Sequence, residues 1–336
     1  MENKFWLGKY LLRFRLLLLS LFLFSGALAY ADSGLLYLEA QGVGGYSSLR
    51  DKGIYYSMSQ NDVMQKPSIG ADWIQKLSGD TGDWGTLALQ GRLAYDDQGH
   101  PAIEPQLYNA YVRVKTPYAY SWVGHNRVPV GLESYFDTHS LLLQSLPMSG
   151  FGFDRDWGAG ASRDFNWGDA AFSLTSGTGM PLQLKGSYLF SGRVAKGVLN
   201  RDNYTCGLYG TAGKIPDIIG YHTLDSEPKG YGFLGVDLTY VWDRLEWRAD
   251  IRKGEKEGSS AYAALGRFGI NFLDENRLKL EFQPIFTKQS GQDDRSLAGG
   301  FSYLLTPDLT CRSLYEYDKN DNDHRIVFQI YYYVKV

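Results

Sequence analysis

From residue 35 onward the chain is divided into segments of about a dozen residues whose side chains alternate in polarity, and no feature limits the possible folds more. In "TLALQGRLAY", Leu87, Leu89, Gly91, Leu93 and Tyr95 point one way, and Thr86, Ala88, Gln90, Arg92 and Ala94 the other. "LYNAYVRVK" sends Tyr108, Ala110, Val112 and Val114 against Asn109, Tyr111, Arg113 and Lys115. "RLEWRADIR", "RLKLEFQPIF" and the terminal "RIVFQIYYYVKV" behave alike. Counted along the chain, this gives sixteen candidate strands from 35–46 to 325–336, with 68–79 and 157–165 the weakest.

The connectors carry a second pattern. Every other one is tight ("GDTG", "TP", "FNWGD", "LNRDN", Asp243, "LDEN", "TPD"), while those between include the longer 47–67, 127–156 and 215–229. Short turns at one end and longer loops at the other fit a transmembrane antiparallel β-barrel of about 16 strands, with apolar side chains facing lipid. Closure of the sheet satisfies every backbone amide where there is no water. A soluble sandwich or propeller also has many short strands. However, the polar faces here carry Arg, Lys, Glu and Gln at mid-strand, which a packed interior would not hold unpaired. No repeat of about 40 residues marks propeller blades. Tyr240, Trp242 and Trp247 cluster around a tight turn, as an interfacial girdle does.

The N-terminus reads as a secretory leader. Lys4, Lys9, Arg13 and Arg15 precede "LLLLSLFLF" and then "SGALAYADS", with cleavage expected after Ala29 or Ala31. The expected organisation is therefore a signal peptide over 1–31 and an outer-membrane barrel over 32–336. Loss of four basic residues and Glu2 takes the formal charge from −3 to −6. With no block of like charge, a nucleic-acid partner is not expected. Cys206 and Cys311 fall on strands far apart in order and read as unpaired wall residues.

Residues 127–156 break the alternation, and Pro129 and Gly131 stand at the start of the break. A barrel of sixteen strands is too wide for its wall side chains to fill. The run "SLLLQSLPMSGFGF" is too apolar for a free loop, so this third external loop is expected to fold into the lumen, with an external lid or trimer latch as the alternative reading. Its charges are Arg127, Glu133, Asp137, Asp154, Arg155 and Asp156. The segment "YSWVGHNRVPVGLESYFDTHSLLLQSLP" resembles the corresponding stretch of the phosphate-selective porin O/P family at Gly124, Pro129, Gly131, Leu132 and Glu133. "DRDWGAGASRDFNWGDAAFSLTSGTG" is similar to that family's Gly-rich strand pair. The resemblance covers roughly 60 residues, and elsewhere only the barrel pattern agrees. It implies sixteen strands, a homotrimer, and basic pore-lining residues that draw anions. This chain departs from that pattern by its shorter length and by a third loop without lysine, in which two positive charges face four negative.

Alternation assigns Arg92, Arg113, Lys115, Arg193, Arg248, Arg252, Arg267, Lys279 and Arg312 to the inner wall, against Glu39, Asp72, Asp237, Glu246, Asp250, Glu281 and Glu316. This mixed wall is expected to tune charge preference mildly. Arg92, Arg113 and Arg193 form a candidate basic strip, unless they pair with loop carboxylates such as Asp154 and Asp156. Arg248, Asp250 and Arg252 are expected to neutralise one another. The function expected is a diffusion porin that passes small hydrophilic solutes or ions, with mild anion preference and no cofactor. Its partners would be outer-membrane lipid and its own copies. A sleeve around a partner protein, such as an electron-transfer conduit, is the alternative. An enzyme is less favoured, because His139 and Ser140 are neighbours that point apart on a strand, and no histidine stands in nucleophile or metal-ligand spacing.

Overall fold

The computed structural model describes residues 34–57, 65–80, 82–96, 102–184 and 186–336. The expected leader and its cleavage sites lie outside the described residues. The strands are β1 (Gly34–Ser47), β2 (Lys52–Ile54), β3 (Ser68–Gly79), β4 (Gly82–Tyr95), β5 (Ile103–Lys115), β6 (Tyr120–Arg127), β7 (Arg155–Phe165), β8 (Gly168–Thr175) and β9 (Tyr188–Lys196). They continue as β10 (Tyr204–Ile219), β11 (His222–Trp242), β12 (Leu245–Lys256), β13 (Ser259–Phe272), β14 (Leu278–Gln289), β15 (Gln292–Thr306), β16 (Leu309–Asp318) and β17 (Asp323–Lys335).

Each long strand pairs antiparallel with its sequence neighbours, and β1 closes the ring on β17, from Tyr37 opposite Lys335 to Ser47 opposite Arg325. The three-residue β2 takes over from β3 on the far end of β1, opposite Gly45–Ser47. The wall is thus a closed antiparallel barrel of sixteen long strands, with no free edge. Tight turns follow from residues that tolerate positive φ. Both Glu257–Gly258 and Ser290–Gly291 have φ between 52° and 85°, the type I′ conformation that matches strand twist.

The expected external loop 215–229 is a correction. The ladder continues past Ile215 to Ile219 opposite His222, leaving only Gly220 and Tyr221 as the turn. Pro216 sits in the register shift between Ile215 and Asp217, where its missing N–H breaks no ladder bond. Ile215, Ile218 and Ile219 are buried, which explains why strand is preferred to loop. Long outer connectors are therefore confined to the first half of the barrel.

The two faces separate as the alternation requires. Leu208, Leu234, Phe328 and Ile330 are exposed on the outside, while Gln90, Arg92, Asp250, Arg252, Gln283 and Glu316 are buried on the inside. Tyr240, Trp242 and Trp247 are exposed around the β11–β12 turn, with Tyr240 opposite Trp247. A band of large apolar side chains around a closed sheet is stable only against lipid. Leu234, 71% exposed, lies within that band. Leu234→Arg should cost about 2–4 kcal/mol if the position is near the bilayer midplane. Urea titration of the protein folded into vesicles measures the loss, and an unchanged midpoint would contradict the outward placement.

Alternation slips within β5. Gln90 faces Asn109 but Gly91 faces Leu107, so Tyr108 is an extra residue in β5. Tyr108, expected on the lipid side, is buried beneath Arg92, whose guanidinium carbon lies 4.8 Å from its ring centre.

Candidate functional site

The inner face of the barrel is not uniformly polar. Leu189 on β9, Tyr231 and Phe233 on β11, Ala261, Ala263 and Leu265 on β13 and Ile285 on β14 form a buried apolar cluster. The other half of that cluster is Leu132, Leu146, Phe151 and Phe153 from the connector between β6 and β7, with Tyr135 and Phe136 packed against it. A second cluster joins Leu142 and Leu143 of the connector to Val43, Ala298, Leu314 and Val327 of β1, β15, β16 and β17. Burying this apolar surface, at about 25 cal/mol per Å², accounts for a loop sequence too greasy to stand in water.

Polar contacts fix the register of the connector. Its first half forms a 3-10 turn over Gly131–Ser134. Gly131 has φ +50°, and a Cβ there would lie 1.9 Å from Asp250 Oδ2, so only glycine fits. The Leu132 N–H then donates to Asp250 Oδ2 at 3.1 Å, and Arg252 Nη2 donates to Glu133 Oε2 at 3.0 Å and to Asp250 Oδ2 at 2.7 Å. The Gly-Leu-Glu turn is thus the point where the connector binds β12. Gly124, the other glycine of the motif, has φ +124°, and a Cβ there would collide with the Ala110 carbonyl of β5. Pro129 stands between the buried Val128 and Val130, which pack with Tyr209.

Aromatic residues come next. The Tyr135 hydroxyl donates to Asp237 Oδ1 at 3.1 Å, and its ring lies 4.8 Å beneath the Arg193 guanidinium. Phe136 lies between Arg248 at 4.1 Å and Arg267 at 5.0 Å. Further along, the Gln144 carbonyl accepts from Arg267 Nη2 at 2.8 Å and Gln283 Nε2 at 3.0 Å, and its side-chain amide donates to Glu316. His139 Nε2 is 2.7 Å from Glu39 Oε2, and the Phe151 carbonyl accepts from Arg252 Nη1 at 2.7 Å.

Several expectations about individual residues change. Arg193 was expected on an unpaired basic strip. It is instead bonded to Asp169 of the adjacent β8 at 3.1 Å and to Asp237 of β11, one strand beyond its other partner β10, at 2.7 Å. Arg92 is 3.8 Å from Glu39 and donates to Gln106 and Gln65, so it too is enclosed. Neither pairs with Asp154 or Asp156. Arg252 is matched to Asp250 and Glu133, while Arg248 pairs with Glu246 rather than Asp250, at 2.7 Å. Three residues expected in the loop lie on strands: Arg127 ends β6, and Arg155 and Asp156 begin β7. Asp156 is fully buried and accepts from the N–H groups of Gly177, Thr178 and Gly179, so it holds the 176–187 connector and presents no charge to solvent.

The remaining charges are more open. Asp137 is 47% exposed and joins Arg127 to the buried Arg155, which also bonds Asp154. Arg113 lies over the Tyr111 ring at 5.2 Å and, among the described residues, has no ion pair; Lys115 is exposed two residues on. Lys279 bonds Glu246 and Glu281, and Arg312 donates to Gln329. Sequence reasoning missed the docking aromatics Tyr135 and Phe136, the bulged Tyr108, and Arg325, which is buried between Glu316 and Asp323. One signal was available: β11, β13 and β14 carry apolar residues on both faces, which a water-filled lumen alone would not require.

A closed sixteen-stranded antiparallel barrel with a long connector after its fifth long strand is the architecture of porins. The comparisons with solved structures agree at the level of fold. OmpF of Salmonella typhi in complex with daunomycin superposes with a TM-score of 0.66 over 90% of this chain and 97% of that one, at 10% identity. An anion-selective porin from Comamonas acidovorans gives 0.61 over 90% and 99%, at 11% identity. OmpT, an outer membrane protein of Vibrio cholerae in its trimer form, gives 0.60 over 90% and 100%, also at 11%. No family model and no curated protein sequence matches the chain.

Proposed function

We propose that the chain is an outer-membrane diffusion porin of a Gram-negative bacterium, in which residues 128–154 fold into the lumen and leave a narrowed passage. The observation that carries this reading is that one connector bonds to inward side chains of β1, β11, β12, β13, β14 and β16 together. A segment that meets so much of the inner wall has its room inside the ring. The passage then runs between this segment and the inner faces of β3 to β8. Along it lie Asp137, Arg127, Arg113 and Lys115. Small hydrophilic solutes and ions would cross down their gradients, and no cofactor is needed for that.

Because the arginines of β9, β12 and β13 are occupied in holding the segment, selectivity falls to the few charges left open. Arg113 and Lys115 give a mild anion preference, with Asp137 opposing it. Phosphate selectivity of the kind implied by the Gly-Leu-Glu resemblance has little to support it, since Arg127 and Arg155, at the two ends of the connector, are bonded to carboxylates. Export by the 1–31 leader and assembly as a homotrimer belong to the same proposal. The filled lumen disfavours a sleeve around another protein. An enzyme is disfavoured as well: His139 is bonded to Glu39, and among the described residues no hydroxyl or thiol is bonded to its ring.

Reversal potential in a planar bilayer under a salt gradient tests the reading. The unaltered protein should give a small anion-preferring potential, and Arg113→Glu with Lys115→Glu should reverse its sign. A potential unmoved by the double replacement would remove these residues from the passage.

A further inference from the structure

We propose that Asp96, Glu104 and His222 form a binding site for a divalent transition-metal ion of the Zn2+ class, which clips the tip of the β10–β11 hairpin to the outer end of β4 and β5. One ligand atom from each of the three lies within 4.8 Å of the other two. Asp96 directly follows β4, Glu104 is the second residue of β5, and His222 opens β11, so the cluster joins elements far apart in the chain. Their spacing in the sequence gives no hint of it.

Three further observations point to a ligand. His222 Nε2 is buried and, among the described residues, has no hydrogen-bond partner, so it is open to a ligand. Glu104 Oε2 accepts from Gln106 Nε2 at 3.1 Å, an outer contact of the kind that orients a ligand carboxylate. Lys66 Nζ lies 2.8 Å from Asp96 Oδ2 and 3.6 Å from Glu104 Oε2, so an ammonium already occupies the cation position. Two carboxylates against one ammonium leave a net negative charge, which a dication would satisfy by displacing Lys66. Mixed imidazole and carboxylate ligands suit zinc better than calcium or magnesium.

The hairpin is already seated for such a clip. The Tyr221 hydroxyl at its tip donates to the Leu107 carbonyl of β5 at 3.0 Å. Ile218, Gly220 and Tyr221 line a cavity together with Tyr108, His139, Phe153 and Arg155. An ion at Asp96, Glu104 and His222 would hold the tip over this cavity and lower the current. The effect on current rests on the channel reading, whereas binding of the ion does not.

The test is calorimetric titration of the metal-stripped, detergent-folded full chain with ZnCl2, followed by bilayer recordings with and without zinc. The expected result is one saturable site, weakened at least about tenfold by His222→Ala or His222→Gln, and tightened by Lys66→Gln because the competing ammonium is gone. Zinc should reduce the current of the unaltered protein and leave that of His222→Gln unchanged. Absence of saturable binding, or binding indifferent to both His222 variants, would overturn the site. Saturable binding that leaves the current unchanged would overturn the clip.

Discussion

Arg252→Ala should release the connector between β6 and β7 and turn a steady channel into a noisy one with a larger mean current. Arg252 is 1% exposed and reaches Asp250, Glu133 and the Phe151 carbonyl, so it holds both halves of the connector. Removing one partner from a buried ionic cluster costs about 3–5 kcal/mol, since the charge left behind has neither water nor a counterion. Burial pushes the Glu133 carboxyl up to about 8, against the pull of Arg252. Burial therefore favours the protonated carboxyl, and Asp250 is the chief counterion of Arg252. A carboxyl raised in this way stabilises the docked connector fully below its ordinary range, and loses that contribution as pH rises toward and through 8. Channel noise should accordingly grow as pH rises from about 4.5 to about 8 in the unaltered protein and level off above that, and Glu133→Gln, which cannot ionise, should remove that rise. A quiet Arg252→Ala channel, or noise independent of pH, would show that the connector is held elsewhere.

Replacing residues 138–148 with a short Gly-Ser bridge should raise single-channel conductance severalfold and admit larger uncharged sugars. This segment carries Leu142, Leu143 and Leu146, which cover Val43, Ala298, Leu314 and Val327 on one side and Leu265 and Ile285 on the other. The wall should survive its removal, because the backbone ladders close through β1 and β17 without help from the connector. Stability should fall, because inward apolar side chains become wet at about 25 cal/mol per Å². A variant that folds with unchanged conductance would mean that the segment does not narrow the passage. Liposome swelling with sugars of graded size provides a second readout that does not depend on channel noise.

The wall was legible from sequence because its physics is local. Alternation with period two is written into each strand, so even the weak 68–79 emerges as Ser68–Gly79. The phase slip at Tyr108 was not legible, since the residues of β5 that carry the bulge, Leu107 to Asn109, include neither glycine nor proline. The strand over 215–229 was hidden by Pro216 and Pro228, which usually signal a loop but here sit at ladder irregularities. The interior lay beyond local reading altogether. Which arginine faces water depends on contacts across the ring: Arg193 looked free along its own strand, yet meets Asp169 from the next strand and Asp237 from two strands away. The one clue that did reach across, the Pro-x-Gly-Leu-Glu turn, marked the anchoring point on β12.

The reading depends on lipid touching one face of the sheet and water the other. Nitroxide labels on a Cys206→Ser, Cys311→Ser background, placed at Leu208 and at Arg113 in separate samples reconstituted in vesicles, test this most directly. The account predicts that the label at 208 relaxes with dissolved oxygen and ignores a water-soluble nickel chelate, while the label at 113 does the reverse. The same response at both positions, or the opposite assignment, would contradict it.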